Sequence, residues 1–318
     1  MKRSFLTIIL LFLWGAVAVS ATTPDGSFVE GNGRLAEYIH LLQGRRVGVL
    51  ANNTSHLDER HLVDTLLASG VDVKLIFAPE EGFRGDGTVR YRDSYMGIEV
   101  INLVQNPKAN DVFRCDVVVC DLRDEGVRTS SSLRAMVRLM SVCADIGVPF
   151  VVLDRPNPNG RRVDGAIVEP QYRTSEEMLP LPLMHGMTLG ELARMINGEG
   201  WLADGKRCLL TVVPCTKSAE AIAVEPVVIY ACGLAEPLPV AFWEGRSGID
   251  LSAIVEAYRC RNTAEEFFVG EEFARQLGAS YVRDMIVQEF SAEEIHSMWR
   301  GDVERFVEQQ RPYLIYEK

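Results

Sequence analysis

The sequence predicts an α/β fold: a mostly parallel sheet with helices on both faces, followed by a smaller, mainly helical C-terminal α/β unit. Three observations predict it. From Arg45 onward, short β-branched apolar runs alternate with stretches of helical period, the pattern of strands joined by crossover helices. Several of these runs stop abruptly in charged, Gly or Pro residues, as strands do where they leave a sheet. Beyond Pro214 the alternation weakens, with Pro226, Pro237 and Pro239 breaking short apolar runs.

Val47 to Leu50 reads as the first strand, and a helix follows through His61, Leu62, Leu66 and Leu67 to Gly70. Val73 to Ala78 is the second strand and Val117 to Leu122 the third. A long amphipathic helix then covers about Ser132 to Ile146. Val148 to Leu153 has the length and β-branched content of a strand buried on both faces. Thr188 opens another helix, with Glu191 three residues on forming a capping box. Leu209 to Val213 is a further strand. The stretch Leu251 to Gln310 is largely helical, and Tyr313 to Tyr316 reads as a short closing strand. These elements divide the chain into residues 1–21, a site-bearing domain over 22–207 and a smaller domain over 208–318.

Residues 1–21 have the form of a cleavable export signal: Lys2 and Arg3, an apolar run from Phe5 to Val19, then Ala18-Val19-Ser20-Ala21. The run is short for a membrane span, and no Cys stands near the cleavage point for a lipid anchor. A periplasmic or secreted protein without a stable membrane anchor is expected. The formal charge of −11 becomes −13 once Lys2 and Arg3 leave with the signal. That balance argues against nucleic acid and anionic membrane surfaces as partners, and suits a neutral or cationic substrate.

Seven cysteines, at 115, 120, 143, 208, 215, 232 and 260, show no zinc-like spacing. Cys115, Cys120 and Cys143 fall in strand and helix patterns and read as buried free thiols. A disulfide among the other four is permitted by an exported location. Gly31-Asn32-Gly33-Arg34-Leu35-Ala36 fits the dinucleotide pattern GxGxxA, but no strand precedes it, as that chemistry requires. No metal and no cofactor is expected.

The chemistry gathers at the strand exits, where open α/β sheets bind ligands. After the second strand comes Pro79-Glu80-Glu81-Gly82-Phe83-Arg84-Gly85. Glycosidic cleavage needs a carboxylic acid to protonate the leaving oxygen and a second group to support attack. After the third strand comes Asp121-Leu122-Arg123-Asp124-Glu125-Gly126-Val127-Arg128. After the fourth, Asp154-Arg155-Pro156-Asn157-Pro158 is stiffened by two prolines. Taken alone, each stretch is equally a solvated loop, a helix cap or an internal ion pair. Their convergence on one side of the sheet, together with His185 before the capped helix, points to a common cleft.

These motifs, in this order, resemble the bacterial family DUF1343, the exo-β-N-acetylmuramidases of the NamZ type. The matching residues are Asn52 and Thr54, Pro79-Glu80-x-Gly82-Phe83-Arg84-Gly85, Asp121-x-x-Asp124-x-Gly126-x-Arg128, Leu153-Asp154-Arg155-Pro156-Asn157-Pro158, and His185-Gly186-Met187-Thr188-x-Gly190-Glu191-Leu192-Ala193. The resemblance covers roughly residues 45 to 200, and continues more weakly from Phe267 to Tyr316. It implies a Rossmann-like domain that uses no NAD and a smaller C-terminal domain closing over the cleft. It also implies release of terminal N-acetylmuramic acid from peptidoglycan fragments.

Carried over by motif, Glu80 is the catalytic acid or base, supported by Asp124, Asp154 and His185. Asn52, Glu81, Arg84, Asp121, Arg128, Arg155 and Asn157 make up the substrate-binding set. An arginine fork suits the lactyl carboxylate of muramic acid. The chain departs from the family where Glu81 replaces a histidine, and where Thr129-Ser130-Ser131-Ser132 replaces an aromatic run that would offer stacking surfaces. Residues 214 to 250 are shortened, and Trp243-Glu244-Gly245-Arg246 is either a remnant of the family's Ser-Glu-Gly-Arg-Gly-Thr motif or, the favoured reading, the lead-in to the C-terminal helices. Three readings stay open: a cell-wall glycosidase, a degenerate homologue that binds muropeptide or glycan without cleaving it, and an interaction protein with an empty cleft.

Overall fold

A computed structural model describes residues 28–84, 88–173, 179–216, 229–235, 238–240, 248–260 and 267–316. The expected export signal and the Trp243-to-Arg246 stretch lie outside the described residues.

The core of the fold is a seven-stranded sheet. Its strands are β1 (Arg46–Ala51), β4 (Asp72–Ala78), β5 (Arg90–Arg92), β6 (Glu99–Asn102), β7 (Val117–Asp121), β8 (Phe150–Leu153) and β11 (Leu210–Val213). They lie in the order β11-β8-β7-β1-β4-β6-β5, and every pair is parallel except the edge strand β5 against β6. The six parallel strands follow the doubly wound order 3-2-1-4-5-6, whose direction of winding reverses between β1 and β7. Two-residue ladders complete the strands: β2 (His56–Leu57) with β3 (Arg60–His61), β9 (Val163–Asp164) with β10 (Met184–His185), and β12 (Ile229–Tyr230) with β13 (Pro239–Val240).

Strand periodicity assigns the two faces. On one, Leu50, Leu75, Phe77, Val118, Cys120, Phe150 and Val152 pack with α4 (Ser131–Ile146) and α5 (Leu189–Glu199). On the other, Val47, Val49, Ile76, Val117, Val119 and Val151 pack with α1 (Leu35–Leu42) and α2 (Leu62–Ala68). Successive side chains of one strand thus enter opposite cores, which is why these runs are apolar throughout. The short helix α3 (Ala109–Val112) precedes β7. Helix α4 starts at the Ser130 cap and stops at Gly147, φ 73°. Helix α5 carries the expected Thr188/Glu191 capping box.

A third core joins Val127, Ala166, Leu183 and Met184 to the C-terminal helices: α6 (Ser252–Arg259), α7 (Glu272–Leu277), α8 (Ser280–Val287), α9 (Ala292–Met298) and α10 (Arg300–Gln310). No helix among the described residues is long and apolar enough to cross a membrane.

Two expectations are corrected. Tyr313 to Tyr316 forms no strand; Pro312 sits in a 3₁₀ turn over Arg311–Tyr313. The chain then crosses α5, and the N–H groups of Ile315 and Tyr316 donate to the Glu191 carboxylate at 2.9 and 3.4 Å. A side chain thus takes the place of a partner strand. Strand β11, which follows residue 207, pairs with β8 through Val213. All seven cysteines are free thiols, so the disulfide permitted among Cys208, Cys215, Cys232 and Cys260 does not form. Cys115, Cys120 and Cys143 are buried as expected.

Candidate functional site

The loops leaving β1, β4 and β7 enclose a cavity of about 340 Å³, lined by Asn52, Asn53, Thr54, Glu81, Gly82, Arg123, Asp124, Glu125, Ser131 and Ser132. It opens where the sheet reverses its winding, the place at which two adjacent loops part and leave a crevice. Each wall has a local cause. Asn52 Oδ1 accepts from the Thr54 N–H and hydroxyl at 3.0 and 2.7 Å, which folds the first loop back on itself. Gly82, at φ 87°, turns the second loop. Asp124 Oδ2 accepts from Gly126 N–H at 3.0 Å and closes the third.

Glu80 stands beside this cavity on the β4 loop. Its Oε1 lies 3.1 Å from Arg138 Nη1 and 3.4 Å from Arg134 Nη1. The two arginines are four residues apart on α4 and so share one face. Arg138 also donates to the Leu103 and Val104 carbonyls at 2.6 and 3.1 Å, so the cation that orients Glu80 is itself fixed. Glu81 is exposed at the cavity.

Asp124 and His185 form the buried part of the site. His185 Nδ1 accepts from the Met187 N–H at 3.3 Å, which puts the proton of the neutral ring on Nε2. That nitrogen lies 3.3 Å from Asp124 Oδ2, close but off hydrogen-bond alignment. His185 Nε2 and Asp124 Oδ1 are both buried without a hydrogen-bond partner. His185 belongs to the β9–β10 ladder, paired with Val163, and not to the edge of the main sheet.

The remaining residues of the expected set form the frame behind the cavity. Arg155 donates from Nε and Nη2 to the two oxygens of Asp121 at 2.7 and 3.0 Å, and from Nη1 to Glu30 at 3.0 Å. Burial works against the Arg155 charge, but Asp121 and then Glu30 hold it above the usual range. Asp154 is enclosed and accepts from Gly190 N–H at 2.8 Å, Thr188 hydroxyl at 2.8 Å and Tyr316 hydroxyl at 2.7 Å. Burial pushes its carboxyl up to about 6.

Asn157 donates to the Met187 carbonyl at 2.8 Å. Arg128 is buried without a carboxylate and donates to the carbonyls of Ala166, Leu181 and Gln276; burial pulls it down to about 9. Arg84 turns away to Asp93 at 2.9 Å. Of the expected set, the cavity wall therefore holds Asn52, Glu81 and Asp124. Glu80 adjoins it, and Asp121, Arg128, Asp154, Arg155 and Asn157 are spent inside the protein.

Sequence reasoning missed Glu125 as a site residue. Its carboxyl is pushed above the ordinary range, first by partial burial against the wall, then by Asp124 and Glu81. The signal was its place beside Asp124 in an acidic strand exit. Ser131 and Ser132, noted only for the rings they replace, line the cavity at the start of α4. A larger cavity of about 580 Å³ lies between α6 and α9, bordered by Ile249, Glu256, Arg259, Glu293 and His296, away from the strand exits.

Residues 47–226 match the family model for the N-terminal part of exo-β-N-acetylmuramidase NamZ, and residues 246–316 match the model for its C-terminal part. The peptidoglycan β-N-acetylmuramidase NamZ of Bacillus subtilis is 33% identical over 220 residues, covering 62% of this chain and 52% of that protein. The chain thus spans about half the length of the curated relative it matches. A crystal structure of a DUF1343 family protein from Bacteroides fragilis superposes with a TM-score of 0.80 at 29% identity, covering 92% of this chain and 99% of that one. A second Bacteroides fragilis DUF1343 structure, at 23% identity and a TM-score of 0.74 over 92% of this chain, shares the fold.

Proposed function

We propose that this chain, which belongs to the NamZ family of exo-β-N-acetylmuramidases, releases terminal N-acetylmuramic acid from peptidoglycan fragments at the cavity above β1, β4 and β7. One observation carries the reading. The loops leaving β4 and β7 bring Glu81, Asp124 and Glu125 to one cavity where the sheet changes its winding, with Glu80 next in the chain to Glu81. Cleavage of a glycosidic bond needs a proton donor for the leaving oxygen and a second group supporting attack.

Glu80 is the general acid/base of this reading, held in place by Arg138 and Arg134. Asp124, backed by His185, is the supporting carboxylate. Asn52, Thr54, Ser131 and Ser132 offer hydroxyl and amide groups for sugar hydroxyls. The name of the Bacillus subtilis relative supports the substrate class. The signal-like residues 1–21 support a periplasmic or secreted location, where such fragments are found.

The test follows release of free N-acetylmuramic acid from a disaccharide carrying it at the non-reducing end, with the purified chain and a Glu80→Gln variant. Release that disappears in Glu80→Gln is the expected result. Release that survives the substitution removes Glu80 from the chemistry.

A second reading, binding without cleavage, is favoured by one observation: among the described residues no aromatic ring lines the cavity, so they offer a bound sugar no stacking surface. Binding of the disaccharide with no release in the same experiment selects this reading.

A further inference from the structure

N-acetylmuramic acid carries a charge that N-acetylglucosamine lacks, the carboxylate of its lactyl group. A carboxylate that leaves water needs a cation or several donors to receive it. The arginines expected to bind substrate are spent elsewhere. Arg84 pairs with Asp93, Arg128 donates to the carbonyls of Ala166, Leu181 and Gln276, and Arg155 is buried between Asp121 and Glu30. None of the three lines the cavity. Arg134 is given to Glu80 and to the Thr129 carbonyl.

Among the described residues, Arg123 is the cation of the cavity wall. It stands at an open position of the matching motif Asp121-x-x-Asp124, so the family resemblance gives it no role. Its backbone is fixed, because the Ser132 hydroxyl donates to the Arg123 carbonyl at 2.7 Å. Its side chain is anchored at one point: Nη2 donates to both oxygens of Glu30 at 2.8 and 3.1 Å. Glu30 is in turn held by the buried Arg155 at 3.0 Å. Nε and Nη1 of Arg123 have no hydrogen-bond partner among the described residues, and the side chain is 46% exposed. The guanidinium is thus oriented by the frame and keeps donors for a ligand.

The acids of the wall narrow the choice. Glu81, Asp124 and Glu125 also line the cavity and repel a substrate carboxylate that approaches them. An anionic group therefore finds its favourable place in this wall beside Arg123. Binding there decides which way round the sugar lies.

We propose that Arg123 is a specificity-determining residue that receives the lactyl carboxylate of N-acetylmuramic acid, donating from Nη1 or Nε while Glu30 keeps hold of Nη2. This rests on the muramidase reading above. A terminal N-acetylglucosamine offers Arg123 no acid and is bound less well. The lactyl group lies away from the bond that breaks, so the contact stabilises ground state and transition state alike.

The test compares N-acetylmuramic acid with its lactyl methyl ester, a neutral analogue, by titration calorimetry on the full chain, Arg123→Gln and Arg123→Lys. The parent is expected to bind the acid about tenfold tighter than the ester, the scale of one charge-assisted contact. In Arg123→Gln that ratio should fall to about one. In Arg123→Lys it should stay at about three or more, since the charge remains and the fork is lost. A disturbed wall weakens acid and ester alike, so the ratio reads the contact and not the folding. In turnover of the terminal disaccharide, Arg123→Gln should raise KM about tenfold and leave kcat within about threefold. A ratio near one in the parent, or a ratio and KM that Arg123→Gln leaves unchanged, overturns the role of Arg123. So does a loss confined to kcat. With the disaccharide still cleaved, the muramidase reading stands in each of these cases. Absence of both binding and release overturns the two together.

Discussion

His185 Nε2 stands 3.3 Å from Asp124 Oδ2, and both side chains are buried. The imidazole comes from the β9–β10 ladder and the carboxylate from the exit of β7. The pair therefore ties the cavity's third wall to a separate part of the chain.

That link makes His185 a positioning residue. His185→Asn takes away the ring beside Asp124 and leaves its carboxylate the Gly126 N–H, and a displacement of about 1 Å at a reacting group costs roughly 10²-fold in rate. Turnover of the terminal disaccharide is expected to fall by that order through kcat, with KM little changed. An unaltered kcat in steady-state kinetics would detach His185 from the site.

Asp154 makes stability pH-dependent with a definite sign. Burial raises its carboxyl from 3.8 to about 6, so the native state binds this proton more tightly than the unfolded chain. The group's contribution is full below the unfolded value and is lost as pH rises through the folded one, about 3 kcal/mol in all. Asp154→Asn keeps an acceptor for the Gly190 N–H and abolishes the titration. Denaturation of both proteins across roughly pH 3.5 to 7 should show the variant gaining on the parent as pH rises. A constant difference would contradict the assignment.

Tyr316 joins the chain's end to the sheet. Its hydroxyl donates to Asp154 Oδ2 at 2.7 Å and accepts from the Cys215 N–H at 2.8 Å. Tyr316→Phe strands a buried backbone donor and one carboxylate lone pair. Urea unfolding should register a loss of about 1–3 kcal/mol. A loss below about 0.5 kcal/mol, the lower end for one hydrogen bond, would mean that these groups find other partners.

Gly126 is where the frame and the cavity meet. Its φ is +74°, and a Cβ there would press on Asn157 Oδ1 and come within 2.7 Å of Asn159 Nδ2. Gly126→Ala is expected to cost about 1–3 kcal/mol in strain, and to weaken ligand binding by moving the amide that holds Asp124. Gly70, at φ +77° with nothing within 4 Å, is the control. Gly70→Ala should lower the melting temperature less and leave binding alone.

The residues show why the sheet was legible and part of the site was not. Runs such as Val117 to Cys120 and Phe150 to Leu153 face a core on each side, so they are apolar throughout and stand out. Strand β6 is four residues with polar ends, and β5 reads Arg-Tyr-Arg at an exposed edge; neither gives that signal, and α1 was missed behind its glycine turn. The strand exits lie at the end of the sheet where the cavity opens. A one-dimensional pattern does not say whether a polar group there faces the cavity or the interior. Asp124 and Asp154 look alike in sequence, yet one lines open space while the other is enclosed by Gly190, Thr188 and Tyr316. The motif resemblance led to the same region, and the distances separate wall from frame.

The contacts of Ile315 and Tyr316 bear on the order in which the molecule can be completed. Asp154, just past β8, and Glu191, in the first turn of α5, sit mid-chain, yet both take partners from residues more than a hundred positions later. During synthesis the sheet can assemble its strands, but these two carboxylates stay short of donors until Ile315 and Tyr316 have emerged. A fragment ending before Ile315 would leave them so permanently. The site's scaffold is thus sealed late, by the stretch of chain furthest in sequence from Glu80.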